Sequence, residues 1–269
     1  MSLNAGSARF EFTWSENVRP SLAMSNRSNC LKTRSIHNST AVRLIKRFRP
    51  LVVLIKDCQR GVGLLARPFL VSRYFTAHQI RKLQIGAHSS MLAGWLNTDL
   101  YPQSVLSVTL DATKTFPFQD ASFDYVFSEH QLEHISNDDA RVMLQECHRI
   151  LRPGGKIRLA LPSLDRLVQL IGPTKTDVQE RYIRYATSIC YPNVQTPNPC
   201  FAINAAFMNW GHKFLYDRVT LSCALQTIGF TNIQFFAPGQ SDDSNLSGIE
   251  TRNSEMDVYE TMVVQAIRP

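Results

Sequence analysis

From Lys82 onward the chain repeats one pattern: a short apolar run, a glycine or polar cluster, then the next run. "KLQI" from Lys82 reads as a first strand closing on Gly86, and "GWLNTDL" from Gly94 as a second carrying Asp99. "VLSVTL" from Val105 is a third, closing on Asp111, and "SFDYVFS" from Ser122 is a fourth, running into "EHQLEHIS". "NDDARVMLQECHRIL" has helical spacing, with Asn137 or Asp138 expected as its cap and Arg149 and Arg152 near its end. "RPGG" stops that helix, because glycine accepts the positive φ at which helices end. A strand "KIRLALP", a helix from Leu164, an irregular stretch and a helix from Asp217 to about Ile228 follow. "FTNIQFF" and "TMVVQAI" supply two last strands. Strands alternating with helices imply an α/β domain with a mainly parallel sheet covered on both faces. The final two strands have no helical pattern between them, so an antiparallel edge is expected.

The opening of the chain does not share this pattern. Residues 1–80 hold thirteen Lys and Arg against three Asp and Glu, while residues 81–269 hold sixteen against nineteen. The net charge of +7 is therefore a basic leader on a slightly acidic body. Residues 1–40, rich in Ser, Asn and Arg, are expected to be disordered. Residues 41–78 read as a basic amphipathic helical extension, divided into short helices by Pro50 and Pro68, and residues 79–269 as the main domain. Such a leader suits a solvated extension, a peripheral contact with an anionic membrane, or an organelle-targeting segment. No apolar run is long enough to span a bilayer, and the interleaved motifs of nucleic-acid binding are missing, so no nucleic-acid partner is expected. Cys30, Cys58, Cys147, Cys190, Cys200 and Cys223 form no CxxC pair. That spacing fits a reducing, cytoplasmic setting without a zinc or redox motif, and no metal is expected.

In open parallel sheets, ligands bind beyond the carboxyl ends of the strands. Gly86, Asp99, Asp111 and the run Ser128-Glu129-His130 all fall there. The segments "KLQIGAHSSMLAGWLNTDL", "LDATKTFPFQDASFDYVFSEHQLEHIS" and "MLQECHRILRPGGKIRLALPSLD" together resemble the class I S-adenosylmethionine-dependent methyltransferases. The resemblance is to the bacterial type-11-like branch, often associated with polysaccharide and glycan biosynthesis. It covers Lys82 to about Asp165 well, the C-terminal strands more loosely and residues 1–75 not at all. It implies a Rossmann-like three-layer sandwich whose mainly parallel seven-stranded sheet has an antiparallel edge strand, with S-adenosyl-L-methionine as cofactor. It also implies that Gly86, Ala87 and His88 surround the amino-acid tail of the cofactor. Asp99 with Leu100 would meet the ribose, Asp111 with Ala112 the adenine, and Ser128 and Glu129 the methionine portion. His88 stands where that branch carries a second glycine, and it is strained if the position needs φ > 0.

Transfer from a sulfonium needs an acceptor held in line, and a hydroxyl acceptor also needs a base. His130 is the expected general base, with Glu129 and His134 as further catalytic candidates; Glu133-His134 reads first as a structural hydrogen-bonded pair that fixes the loop. Residues 172–216 suit a lid over the acceptor, where Asn209, Trp210, His212 and Tyr216 are candidate substrate contacts. The expected function is O-methylation of a saccharide or small-molecule hydroxyl. The alternative is a catalytically inactive binding or scaffold protein that kept the fold. A nicotinamide oxidoreductase is disfavoured, because the loop lacks G-x-G-x-x-G.

Overall fold

The computed structural model describes the backbone of residues 40–269 and the side chains of residues 57–269. Residues 1–39, and with them nearly all of the expected disordered leader, lie outside the described residues. Residues 49–269 form one compact unit.

Helix α1 (Thr40–Ala77) runs unbroken through Pro50 and Pro68, contrary to the division expected from those prolines. A proline deletes one i→i−4 bond while the turns on either side keep theirs, so tertiary contacts decide whether the helix continues. Here Leu70, Val71, Tyr74 and Phe75 pack on the main core. The Tyr74 hydroxyl also accepts the Lys82 N–H at 2.8 Å and donates to the Lys82 carbonyl at 3.0 Å. Where the helix passes over the sheet, a Cβ on Gly63 would come within 2.0 Å of Thr109 Oγ1, so only glycine permits that approach. Among the described residues no helix is long and apolar enough to cross a membrane.

The strands are β1 (Lys82–Ile85), β2 (Leu96–Asp99), β3 (Val108–Thr109), β4 (Phe123–Glu129), β5 (Leu151–Pro162), β6 (Thr231–Phe236) and β7 (Thr261–Ile267). They form one seven-stranded sheet in the order β3-β2-β1-β4-β5-β7-β6. The pairs from β3 to β5 are all parallel. Strand β7 is antiparallel to both β5 and β6, so the reversed strand lies one place in from the edge. The order switches between β1 and β4, and that is where a crevice opens in such sheets.

Helix α2 (Asn137–Ile150) is capped by Ser136, not by Asn137 or Asp138: the Ser136 hydroxyl accepts the Asp139 N–H at 3.1 Å. The stretch after α3 (Leu164–Gln169), which reads as irregular in sequence, holds α4 (Asp177–Cys190) and α5 (Pro199–Met208). A capping box of Thr176 and Gln179 starts α4, and Asn198 with Pro199 starts α5. Apolar residues encircle α5, which erased the one-sided stripe that marks a surface helix. These helices share a second core around Leu167, Tyr182, Ala186 and Ala205. Helix α6 (Arg218–Ile228), capped by Asp217, and the short α7 (Glu255–Glu260) complete the chain.

Side chains alternate across the sheet. Ile157, Leu159 and Leu161 of β5 join the main core with α1, α2 and α6. On the opposite face Phe127, Ala160 and Val263 meet Trp95 and Leu246 in a smaller cluster. That face also carries Arg158, fully buried, whose Nε lies 2.6 Å from Glu250 Oε1. Segment 237–254 thus covers this face by polar anchorage as much as by apolar contact.

Candidate active site

Two adjoining cavities open at the carboxyl ends of β1, β2, β3 and β4. A chamber of about 430 Å³ is lined by Gln84, Gly86, His88, Glu129, His134 and Arg252 among others. A recess of about 80 Å³ is lined by Leu100, Leu110, Asp111, Ala112 and Ile135 among others. Gly86, Asp99 and Gln131 line both cavities, so the two form one cleft with Asp99 at the junction.

Gly86 adopts φ +74, and a Cβ there would sit 2.8 Å from Gln131 Oε1. Glycine is required on both counts. Ala87 is buried and donates its N–H to the Thr98 carbonyl at 2.9 Å, extending the strand pairing. The Asp99 carboxylate orders the loop around it, Oδ2 accepting the His88 N–H and Oδ1 the Tyr101 N–H, each at 2.9 Å. Each oxygen retains a second lone pair, so the group can still receive donors from the cleft.

His88 adopts φ +44, the left-handed conformation for which glycine is favoured. Its imidazole is exposed, with Nε2 2.6 Å from Gln103 Nε2 and Nδ1 3.2 Å from Ser89 Oγ, and it takes no part in lining the recess. The histidine strains the loop without plugging the cleft. A left-handed L-residue costs roughly 1–2 kcal/mol, and the greater chain entropy of glycine offsets part of its relief. His88→Gly is therefore expected to raise stability by about 0.5–1 kcal/mol in urea titrations without weakening cofactor binding. A lower urea midpoint would show that the imidazole contacts outweigh the strain.

The remaining sequence candidates separate into those that face the cleft and those that do not. Asp111 lines the recess, yet its carboxylate also anchors its own turn. Oδ1 accepts the Thr113 hydroxyl at 2.7 Å, and Oδ2 pairs with Arg60 Nη2 at 3.2 Å. Burial, the largest influence on it, raises its pKa, but Thr113 and Arg60 bring it below the ordinary carboxylate value. Ser128 is buried and donates to the Ile85 carbonyl at 3.2 Å, so it ties β4 to β1 and lines neither cavity. Glu129 lines the chamber, but its oxygens accept the Thr251 and Arg252 N–H groups and the Thr251 hydroxyl. It secures the 250–252 segment and is not a free catalytic carboxylate.

His130, the expected general base, lines the chamber. It is buried at φ +48, with Nε2 3.0 Å from Thr261 Oγ1 and Nδ1 3.1 Å from Glu133 Oε1. Thr261 engages Nε2, while the Nδ1–Glu133 contact falls short of hydrogen-bond geometry. The partner of Glu133 is thus His130, not His134. Burial, its largest influence, raises the Glu133 pKa, but the His130 contact and charge bring it below the ordinary value.

Among the proposed acceptor contacts, Tyr216 belongs to the main core, its hydroxyl donating to Asn137 Oδ1 at 3.3 Å. Asn209 is an exposed residue ending α5, and Trp210 packs against the second core. Only His212 of that set reaches the cleft residues: its ring lies 5.0 Å from that of His134, and the two join Glu133 in one cluster. Burial lowers the His212 pKa below the ordinary histidine value. Gln131, Thr251 and Arg252 line the cleft without having been singled out in sequence. Gln131 was legible in principle, one residue past the fourth-strand cluster. Thr251 and Arg252 arrive from a distant segment with no motif of their own.

A family model for a methyltransferase domain matches residues 60–159. No curated protein matches the sequence. Among solved structures, a S-adenosylmethionine-dependent methyltransferase of Thermotoga maritima, a possible histamine N-methyltransferase, is 14% identical with a TM-score of 0.44. That similarity covers 84% of this chain and 99% of that one. A S-adenosylmethionine-dependent methyltransferase of Archaeoglobus fulgidus is 15% identical with a TM-score of 0.43, over 85% of this chain and 100% of that one. Phosphoethanolamine N-methyltransferase 2 of Haemonchus contortus, in complex with S-adenosyl-L-methionine, is 15% identical with a TM-score of 0.38. The similarity covers 71% of this chain but only 49% of the Haemonchus enzyme, so this chain spans about half its length. The matched residues 60–159 carry strands β1 to β4 and the cleft residues Gly86, Asp99 and Asp111.

Proposed function

We propose that this protein methylates a hydroxyl of a small polar acceptor, a saccharide or saccharide-linked molecule, using S-adenosylmethionine. The reading is carried by one observation: Asp99 stands between a narrow recess walled by Leu100, Leu110 and Ala112 and a polar chamber walled by Gln84, Gln131 and His134. An adenosyl cofactor has the matching division, a flat base, a diol and a charged amino-acid tail. The glycine that a Cβ could not replace, Gly86, suits close approach of that tail to backbone. Asp99 suits the ribose diol, as an acidic residue at this strand end does in dinucleotide folds. Leu100 and Ala112 would flank the base beside Asp111, while Gln131, with an amide at the junction, would meet the tail.

When bound, the cofactor supplies an electrophilic methyl on a sulfonium. The protein's own work is to orient the acceptor and exclude water, which can supply much of such an acceleration. A hydroxyl must also lose its proton. That task falls to the cluster of Glu133, His134 and His212, of which His134 lines the chamber. The polar lining of the chamber supports an acceptor rich in hydroxyls. The test is transfer of radiolabel from methyl-labelled cofactor to panels of saccharides and of primary amines. Label in an alkali-stable methyl ether of a saccharide is expected; label only in the amines would overturn the oxygen acceptor.

A further inference from the structure

We propose that Glu133, His134 and His212 form a binding site for one divalent transition-metal ion of the zinc class at the wall of the chamber. One ligand atom from each of the three residues lies within 4.8 Å of the others, a spacing that small side-chain rotations close around an ion. The site joins distant parts of the chain, a 3-10 turn (Leu132–His134) and the loop after α5, so neither segment alone reveals it.

Two further observations point to a cation. The Glu133 side chain is fully buried, yet neither carboxylate oxygen has a hydrogen-bond partner of good geometry, and only His130 Nδ1, at 3.1 Å, stands close. A buried carboxylate so poorly matched is costly unless a positive charge meets it. The tautomer of His212 is also set. Its Nδ1 lies 2.6 Å from the Ala206 carbonyl and must donate to it, which leaves Nε2 as the lone-pair atom. Metal-binding histidines are oriented by this kind of outer hydrogen bond. Backbone donation from Lys213 and Phe214 to the Glu133 carbonyl, at 2.7 and 3.3 Å, holds the two segments together.

Two imidazole nitrogens with one carboxylate favour zinc, cobalt or ferrous iron over magnesium or calcium, which prefer oxygen ligands. Three protein ligands leave a coordination position open, as in catalytic zinc sites. His134 lines the chamber, so that position is within reach of an acceptor hydroxyl. The metal-bound hydroxyl would release its proton to solvent. The resulting oxygen would then form the bond to the methyl carbon as the carbon–sulfur bond breaks and its electron pair returns to sulfur. This catalytic use rests on the methyl-transfer reading; binding of the ion does not.

The test is titration of tag-free, metal-stripped full-length protein with Co²⁺, followed by visible absorption. We expect the intense bands of a low-coordinate site at one equivalent, loss of signal on adding Zn²⁺, and none on adding excess Mg²⁺. His134→Ala and His212→Ala should each weaken binding at least about 100-fold, as should Glu133→Gln, which keeps the side chain's shape. His78→Ala, remote from the cluster, should bind like the parent, and circular dichroism checks that each variant is folded. No cobalt bands at one equivalent, unchanged affinity in folded His134→Ala and His212→Ala, or displacement by Mg²⁺ would each overturn the site. Calorimetric titration with S-adenosylhomocysteine on the same samples separates the two readings. If the product binds and cobalt does not, the metal site fails alone; if cobalt binds and the product does not, the methyl-transfer reading fails and the site stands.

Discussion

Glu250→Ala is expected to lower unfolding stability by about 3–5 kcal/mol, seen as a large fall in urea midpoint. The cause is the charge it strands. Arg158 has no solvent-exposed side-chain surface, Glu250 only 3%, and the pair closes at 2.6 Å. Glu250 Oε2 also accepts the Gly239 N–H at 2.9 Å, so the same carboxylate pins both ends of the covering segment. Removing it leaves a buried guanidinium whose Nη2 already lacks a partner. Replacing both members with apolar residues, Arg158→Met with Glu250→Leu, should recover much of the loss, because a buried ion pair owes most of its apparent worth to the penalty for splitting it. A single-variant loss below about 1 kcal/mol would mean that water reaches Arg158 readily and that segment 237–254 is not held by this pair.

Asp99→Ala is expected to weaken binding of S-adenosylmethionine and S-adenosylhomocysteine by roughly 30- to 1,000-fold, or about 2–4 kcal/mol, from charge-assisted hydrogen bonds to the ribose. Part of that loss comes from the loop, since the same carboxylate holds the His88 and Tyr101 N–H groups. Asp99→Asn separates the contributions. It keeps an acceptor for one backbone donor while removing the charge, and should fall between the parent and the alanine variant. Calorimetry reads both. Unchanged affinity in folded Asp99→Ala would remove the diol from this strand end and with it the orientation proposed for the cofactor.

Much of this site was legible before any coordinates, and the residues show why. Gly86, Asp99 and Asp111 lie at strand ends, and strand ends in a parallel sheet converge on one edge whatever the loops do. Alternation of apolar runs therefore located them without knowledge of a single contact. The same reasoning brought Glu129 and His130 to the chamber, but not Ser128. Strand geometry delivers these residues to the right edge but does not decide which neighbour takes their polar atoms. Ser128 bonds back to β1, Glu129 forward to Thr251, and His130 to Thr261 and Glu133. Tyr216 looked like a lid residue by composition and is core by packing. The strain at His88 was foreseeable as a condition, φ > 0, and the structure supplies the angle.

Sequence alone thus determined the α/β series, the seven strands and the three strand-end residues around which the cleft forms. Those depend on local periodicity and turn chemistry, which act over a few residues at a time. Only the tertiary structure decided that α1 passes its prolines intact, that segment 237–254 anchors through Arg158 and Glu250, and that His212 arrives beside Glu133 and His134. These are contacts between residues tens of positions apart, set by how the chain closes on itself to bury its core, and no local pattern in the sequence records them.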